Sequence, residues 1–258
     1  MRQLAFLALS LAISGCKSPT PPRDAGAWRC DDCNLVVISL TNVRKDHLGM
    51  YGYGRDTSPN LDRFFQTATH FEQAFAPASW TLPVAASLFT GVQPFRHGVM
   101  MRYDNVRLDD AWLTFPEILR QQGYLTAAFT GAGDYSRKFN TSQGFDYYLD
   151  EENYHGHGIS PVVTPGRGTH VAYIGVDRVA PVAMRWLERF ADRKFFLLLQ
   201  GYDAHCPFTP RPPYDQRFDP SYAGNVDFSV CYWTFEPVQP QVRDGRRVWP
   251  VKRSFSTG

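Results

Sequence analysis

The chain has 258 residues, of which 43% are apolar and 15% aromatic, so it is long enough to bury a sizeable core. Its 27 basic and 25 acidic side chains leave a formal net charge of +2. This small charge excludes the strong positive field by which basic proteins attract nucleic acid, so we expect no nucleic-acid partner.

The N-terminal segment predicts export and lipid attachment. Arg2 is the only charge before the apolar run LAFLALSLAI, which is too short for a permanent membrane span and is typical of a signal peptide. Small residues precede Cys16 in ISGC, which resembles the lipobox at which bacterial lipoproteins are cleaved and lipidated. We therefore predict a signal peptide over 1–15, then a lipidated Cys16 and a Pro-rich tether over 16–33. Ordinary secretory cleavage after Gly15 is the alternative.

Four cysteines remain after Cys16, and two of them, Cys30 and Cys33, form the motif CDDC. Zinc usually needs four Cys or His ligands, and no second pair at matching spacing is present in the sequence. The motif therefore favours a disulfide formed after export, or two ordinary thiols, over a metal site.

The next segments alternate between strand-like and helix-like patterns, which predicts an α/β domain with a largely parallel sheet. The apolar run LVVISL over 35–40 is typical of a buried strand. The runs YLTAAFTG over 124–131 and FFLLL over 195–199 predict two further strands.

Helix-start signals and apolar periodicity predict four helices. Ser58 opens SPNLDRFFQTA, in which a serine cap and a proline in the first turn are both favoured. Thr114 and Glu117 have the spacing of a capping box. The other predicted helices run from Pro83 to about Gly91 and through VDRVAPVAMRWLERFADR.

The remaining segments predict irregular structure and a hairpin. Residues 131–170 are polar, aromatic and Gly-rich, so we predict a loop or insertion there rather than sheet. VQPQVRDGRRVWPVKRSF predicts a β-hairpin that turns at Asp244 and Gly245. No closing helix follows the hairpin, so we expect the C-terminal part of the domain to be missing.

Polar side chains follow three of the predicted strands, at the end where open α/β sheets bind ligands. Thr41 and Asn42 follow the first strand, residues 131–134 follow the second, and Asp203 and His205 follow the third. We therefore predict a site at this edge of the sheet.

Thr81 is a further candidate, because it lies at or near the N-cap of the helix that contains Pro83. Its hydroxyl would lie beside unpaired backbone N–H groups at the positive end of the helix dipole, a position that attracts sulfate or phosphate oxyanions. A plain threonine cap is the alternative.

Five stretches from Asn34 to about Asp219 strongly resemble the sulfatase family of the alkaline-phosphatase-like superfamily. They read VVISLTNVRKDHLGMYGYGRDTSPNLDRF, FEQAFAPASWTLPVAASLFTGVQPFRHGV, GYLTAAFTG, QGFDYYLD and FFLLLQGYDAHCPFTPRPPY. The resemblance implies a three-layer alkaline-phosphatase-like sandwich, with residues 34–258 forming its N-terminal portion. It also implies hydrolysis of sulfuric esters, one divalent cation, usually Ca²⁺, and a formylglycine nucleophile at a helix N-terminus.

Several residues at the matching positions depart from the family pattern. Thr41 stands where the family's first metal-ligand Asp is expected, and Asn42 stands where the second acidic or polar residue is expected. Thr41 brings no charge, whereas Ca²⁺ prefers carboxylate oxygens. Thr81 occupies the nucleophile position and cannot become formylglycine. Related phosphoethanolamine and glycerol phosphate transferases use threonine directly, but they too need a metal to activate it. Ala85 replaces an Arg or His of the signature.

The resemblance also assigns the other site residues. His205 matches a family histidine that binds the sulfate group, so we assign it a catalytic role with Thr81. Asp203 and His97 are assigned to substrate binding, and a structural role for His97 is equally consistent with its motif. The family's later metal-binding segment has no counterpart in this sequence.

Three hypotheses follow. The first is an exported hydrolase of sulfuric or phosphoric esters that acts through Thr81, His205 and a cation near Asn42. The second is a catalytically inactive lipoprotein of the bacterial periplasm or outer membrane that binds sulfated or phosphorylated glycans. The third is a truncated product that does not fold stably, because the hairpin leaves an unpaired sheet edge.

Overall fold

The computed structural model divides the chain into two units, Met1–Cys33 and Asn34–Gly258. The described residues are 30, 32–101, 106–131, 133–150, 152–157, 162–164, 171–206, 208, 210–221, 241–243 and 246–248. In the first unit, Cys30 and Cys33 form a disulfide, which is one of the two alternatives that CDDC left open. The predicted signal peptide and Cys16 lie outside the described residues.

The second unit contains eight described strands. They are β1 (Leu35–Leu40), β2 (Leu125–Thr130), β3 (Tyr147–Leu149), β4 (Val162–Thr164), β5 (Val171–Tyr173), β6 (Phe195–Gly201), β7 (Gln241–Arg243) and β8 (Arg246–Val248). Four of them form a sheet in the order β1-β6-β2-β3, and every pair in this sheet is parallel. The predicted α/β fold with a largely parallel sheet is therefore confirmed.

The five described α-helices are α1 (Pro59–Phe65), α2 (Thr81–Thr90), α3 (Pro94–His97), α4 (Phe115–Gln121) and α5 (Val176–Phe190). The predicted capping box forms, since the Thr114 N–H donates to the Glu117 carboxylate at 2.8 Å and the Thr114 hydroxyl accepts from the Glu117 N–H. Ser58 stands at the N-cap of α1 but does not cap it with its side chain. Its hydroxyl instead accepts a hydrogen bond from the Gly49 N–H and donates one to the Asp62 carboxylate.

Helices cover both faces of the sheet, which gives the three layers that the resemblance implied. On one face α5 packs against the apolar side chains of β2, β3 and β6. This cluster includes Ala127, Phe129, Leu149, Val179, Val182, Ala183, Trp186 and Leu197. On the other face α2 and α4 contribute Ala85, Phe89 and Leu119 to a cluster with Ala128, Phe196 and Leu198.

The prediction of a loop over 131–170 is wrong at β4, which pairs antiparallel with β5, and at β3, which pairs with Ala127–Phe129 of β2. A strand of only three residues is too short to show an alternating pattern in sequence. Strand β3 forms because the edge of β2 supplies hydrogen bonds and Trp186 of α5 packs against Tyr147, with ring centroids 5.8 Å apart. By contrast, the predicted C-terminal hairpin is confirmed, since β7 and β8 pair antiparallel.

Candidate functional site

The carboxyl ends of β1, β6 and β2 lie side by side. Leu40 of β1 is in register with Gly201 of β6, and Thr130 of β2 is in register with Gln200. The backbone N–H of Thr41 continues this pairing by donating to the Gly201 carbonyl at 3.0 Å. The residues that follow the three strands therefore leave the sheet at one edge, where α/β proteins bind their ligands.

Gln200 connects these strand ends through its side chain. Its amide Nε2 donates to the Thr41 Oγ1 at 2.7 Å, and its Oε1 accepts from the Gly131 N–H at 2.9 Å. The residue is fully buried. Our sequence analysis missed Gln200, although one signal was present: a lone amide at the end of the run FFLLLQ must find partners when it is buried.

Thr41 and Asn42, the predicted metal positions, follow β1 directly. Thr41 is partly buried and accepts the hydrogen bond from Gln200. Asn42 is exposed and has a φ of 64°, a left-handed conformation that asparagine tolerates better than most residues. It therefore makes the turn by which the chain leaves the sheet.

The donor set at this edge does not fit the divalent cation that the resemblance implies. Ca²⁺ takes six to eight oxygen ligands and favours carboxylates. Thr41 and Asn42 supply no carboxylate, and the Thr41 oxygen faces an amide N–H. Within the described part of the chain, no group of three or more His, Cys, Asp or Glu residues is placed to hold a metal.

Thr81, the predicted nucleophile, is the first residue of α2. Trp80 is the N-cap and makes no side-chain capping bond, so Thr81 lies one position inside the helix rather than at its cap. The hydroxyl remains beside the N-terminal N–H groups of a ten-residue helix. Ala85, one turn later, is fully buried in the cluster of α2 and α4, where its small side chain serves packing.

His205 is half-buried after the carboxyl end of β6. Its ring stacks on Tyr202 with centroids 4.2 Å apart, and its Nδ1 lies 2.5 Å from the Cys206 carbonyl. Because a carbonyl only accepts, Nδ1 carries the proton and the lone pair of the neutral ring is on Nε2. Burial lowers the pKa of His205, and the Cys206 carbonyl and the Asp134 charge partly oppose this shift. The segments after β2 and β6 approach each other, since a Cβ at Gly131 would lie 3.6 Å from the Tyr202 Cβ.

Asp203, predicted to bind substrate, lies at the N-terminus of α5. Its carboxylate accepts a hydrogen bond from the Val176 N–H at 2.9 Å, in the first turn of that helix. A Cβ at Gly175 would lie 2.7 Å from the Asp203 Oδ1, so a larger residue there would require the Asp203 carboxylate to shift. Capping of α5 thus accounts for the position of Asp203 without a ligand.

His97, also predicted to bind substrate, is buried at the end of α3. Its Nδ1 accepts from the Val99 N–H at 3.1 Å, and its Nε2 lies 3.0 Å from the Ser87 hydroxyl on α2. The Nε2 contact therefore links α3 to α2, and the Nδ1 contact fixes the turn that follows α3. These contacts favour the structural role that the sequence left open, and substrate binding by His97 stays a prediction.

Two sulfatases of known name are similar to this chain in sequence. Bovine arylsulfatase A is 31% identical over 132 residues, which are 49% of this chain and 23% of that protein. Human N-sulphoglucosamine sulphohydrolase is 25% identical over 81% of this chain and 37% of its own length. The chain thus spans about a quarter of bovine arylsulfatase A and little more than a third of the human enzyme.

Solved structures show the same fold. The phosphonate monoester hydrolase of Agrobacterium radiobacter superposes with a TM-score of 0.56 and 24% identity, over 73% of this chain and 44% of that one. An alkaline phosphatase superfamily protein from Vibrio parahaemolyticus gives a TM-score of 0.57 and 22% identity, over 78% and 48% of the two chains. The sequence model of the sulfatase family matches residues 33–230. Because this match covers most of the chain, the protein belongs to the sulfatase family.

Proposed function

We propose that this protein hydrolyses sulfuric or phosphoric esters at the carboxyl edge of β1, β6 and β2. Two relatives are named as an arylsulfatase and a sulphohydrolase, and a third protein of the same fold was crystallised with its substrate D-glucosamine-2-N,6-O-disulfate. The observation that carries the proposal is the position of His205, whose half-buried ring stacks on Tyr202 directly after β6 and whose pKa is lowered by burial. Sulfated sugars and aryl sulfates are the substrate classes to test first.

In this proposal Thr81 supplies the nucleophile directly, because threonine cannot become formylglycine. N–H groups at the start of α2 stabilise the negative oxygens of the ester. Neutral His205 takes the proton of the attacking hydroxyl and returns it to the leaving alkoxide. Water then releases sulfate or phosphate from Thr81. No step is assigned to a cation, since the donor set at Thr41 does not fit one.

The test is release of 4-nitrophenol from its sulfate and phosphate esters by the full chain. We expect Thr81→Ala to lower kcat by about 1,000-fold or more, because it removes the attacking oxygen. Thr81→Ser should retain part of the activity. Thr67→Ala removes an exposed hydroxyl after α1 and is the matched control that should leave the rate unchanged. Equal rates for the wild type and Thr81→Ala would exclude this mechanism.

A second candidate function, binding of sulfated or phosphorylated glycans without hydrolysis, is favoured by the neutral contact between Gln200 and Thr41. That contact lacks the charge that activates a nucleophile. A sulfated ligand at about 100 times its Kd should stabilise the native state by about 2.7 kcal/mol. A raised Tm with no nitrophenol release would support binding alone, whereas an unchanged Tm would exclude it.

We also propose that the protein is exported and anchored by a lipid on Cys16. The Cys30–Cys33 disulfide and the disulfide-bonded state of Cys206 support export, since such bonds persist outside the cytoplasm. In a bacterial host, Cys16→Ala should move the protein from the membrane fraction to the soluble periplasmic fraction. Recovery of both proteins in the same fraction would contradict lipid anchoring. Within the described part of the chain, no helix is long and apolar enough to span a membrane.

A further inference from the structure

Gln200 occupies the centre of the strand-end arrangement. It is the penultimate residue of β6, which lies between β1 and β2, and its side chain is fully buried. The five residues before it in the strand, FFLLL, are all apolar. Burying an amide without partners would cost several kcal/mol, so its hydrogen bonds must be part of what makes this edge stable.

The Gln200 amide bonds to residues beyond both neighbouring strands. Its Nε2 donates to the Thr41 Oγ1 at 2.7 Å and to the Gly201 carbonyl at 3.1 Å, and its Oε1 accepts from the Gly131 N–H at 2.9 Å. The orientation of the amide is fixed by chemistry, because a backbone N–H can only face the carbonyl oxygen. One neutral side chain therefore joins the residue after β1 to the residue after β2.

The surroundings of Gly131 fit this arrangement closely. A Cβ at this position would lie 2.5 Å from the Ile174 carbonyl oxygen and 3.3 Å from the Gln200 carbonyl oxygen. Any other residue would have to move away from the Ile174 carbonyl, which would shift the backbone whose N–H donates to Gln200. Glycine at position 131 therefore allows the backbone to come close enough for the contact to form.

The same contact opposes a cation at Thr41. It uses one of the two lone pairs on the hydroxyl oxygen and directs the positive end of an N–H dipole at that oxygen from 2.7 Å away. A cation bound to the Thr41 oxygen would face this dipole, and neither Thr41 nor Asn42 carries a carboxylate to balance it. The strand ends are thus connected without any charge.

We propose that Gln200 is a positioning residue whose amide holds the ends of β1, β6 and β2 together where the family resemblance implies a metal ion. Folding and stability of this edge are then independent of divalent cations. The inference concerns stability and local hydrogen bonding, so it does not rest on the proposed hydrolysis. Its tests need no turnover.

The first test compares the Tm of the full wild-type chain in excess EDTA and in about 5 mM Ca²⁺, Mg²⁺ or Mn²⁺, a concentration that would fill even weak sites. We expect Tm values that agree within about 1 °C. A saturable increase of more than about 3 °C with any of the three cations would overturn the inference.

The second test measures hydrogen exchange of single backbone amides by NMR. Gln200→Leu keeps the size of the side chain but removes the acceptor for the Gly131 N–H, so exchange at Gly131 should accelerate by about 100-fold or more. The Leu125 N–H, which donates to the Lys194 carbonyl at the other end of β2, is the internal control and should not change. Unchanged exchange at Gly131 would overturn the proposed contact.

Thr41 provides a milder pair of variants if Gln200→Leu does not fold. Thr41→Val removes the acceptor of the Gln200 Nε2 and should lower the Tm by about 3 °C or more. Thr41→Ser keeps the hydroxyl and should come within about 1 °C of the wild type. Equal Tm values for the valine and serine variants would show that the hydroxyl does not anchor the amide.

Discussion

At the scale of single residues, the polar and titratable side chains have two kinds of position. Some lie at the strand ends, and others hold neighbouring helices together. His205 lies at the strand ends, whereas His97, at the end of α3, bonds to Ser87 of α2 through Nε2 and to the Val99 N–H through Nδ1. Both histidines lie in stretches of sequence that resemble the sulfatase family. Their contacts distinguish them, because a ring whose two nitrogens are both used for packing has little capacity left for a ligand.

His97 predicts a pH dependence of stability. Burial lowers the pKa of His97 below its ordinary value of 6.5, so the unfolded chain binds a proton more readily than the native state. The stabilisation is complete above about pH 6.5 and is lost as the pH falls through the lowered pKa. We expect the free energy of unfolding to fall toward pH 5 by up to about 1.4 kcal/mol per pH unit from this residue.

His97→Asn tests this expectation, because an asparagine oxygen can still accept from the Val99 N–H but does not titrate between pH 5 and pH 7. Urea unfolding at several pH values should give a shallower pH dependence for the variant than for the wild type. Parallel curves would mean that the imidazole of His97 does not contribute.

At the scale of elements, local sequence decides where the helices begin, and contacts from distant segments complete their ends. The capping box of α4 is entirely local, since Thr114 and Glu117 are three residues apart. The start of α5 instead depends on Asp203, which lies 27 residues beyond Val176 in the chain. A carboxylate near the first N–H groups of a helix also interacts favourably with the helix dipole.

We therefore expect substitution of Asp203 to lower the stability of the protein even when no ligand is bound. Asp203→Ala leaves the Val176 N–H without its acceptor and should lower the free energy of unfolding by about 1 kcal/mol. Asp203→Asn keeps an oxygen acceptor and should lose less. Thermal unfolding in ligand-free buffer is the measurement. If neither variant changed the Tm, the Asp203 carboxylate would not stabilise the start of α5.

At the scale of the whole molecule, the sheet is covered unevenly. On the face packed by α5, Leu197 of β6 is buried, but its neighbour Val36 on β1 is 52% exposed. Ile38 and Leu40 on the same face of β1 are 62% and 42% exposed. Apolar side chains in a row along an edge strand promote association with other chains.

This exposed face predicts self-association that depends on Ile38. Ile38→Lys places a charge on the edge strand and should reduce association while changing the free energy of unfolding by only about 0.5 kcal/mol. Val37→Lys is the matched control on the opposite face, which packs against the cluster of α2 and α4, and it should unfold the protein. Sedimentation velocity over a concentration series is the measurement. Identical profiles for the wild type and Ile38→Lys would contradict the prediction.

The sequence by itself determined the elements whose signals are local. The apolar runs of β1, β2 and β6 predict strands, and the Thr114 capping box predicts the start of α4, because these patterns lie within a few consecutive residues. The prediction that β1 is buried is wrong, since its residues alternate between partly buried and exposed. The family resemblance rests on the same short stretches. Asn42 and Thr81 were likewise placed beside a strand and a helix by their immediate neighbours.

Only the tertiary structure decided which of these elements meet. The strand order β1-β6-β2-β3 brings Gln200 within hydrogen-bonding distance of Thr41 and Gly131, which are 159 and 69 residues away in sequence. It also made β3 a strand, since its pairing with β2 outweighs the loop-like composition around it. The hydrogen-bonding partner of a buried polar side chain depends on which segments pack together, and no periodicity along the chain encodes that choice.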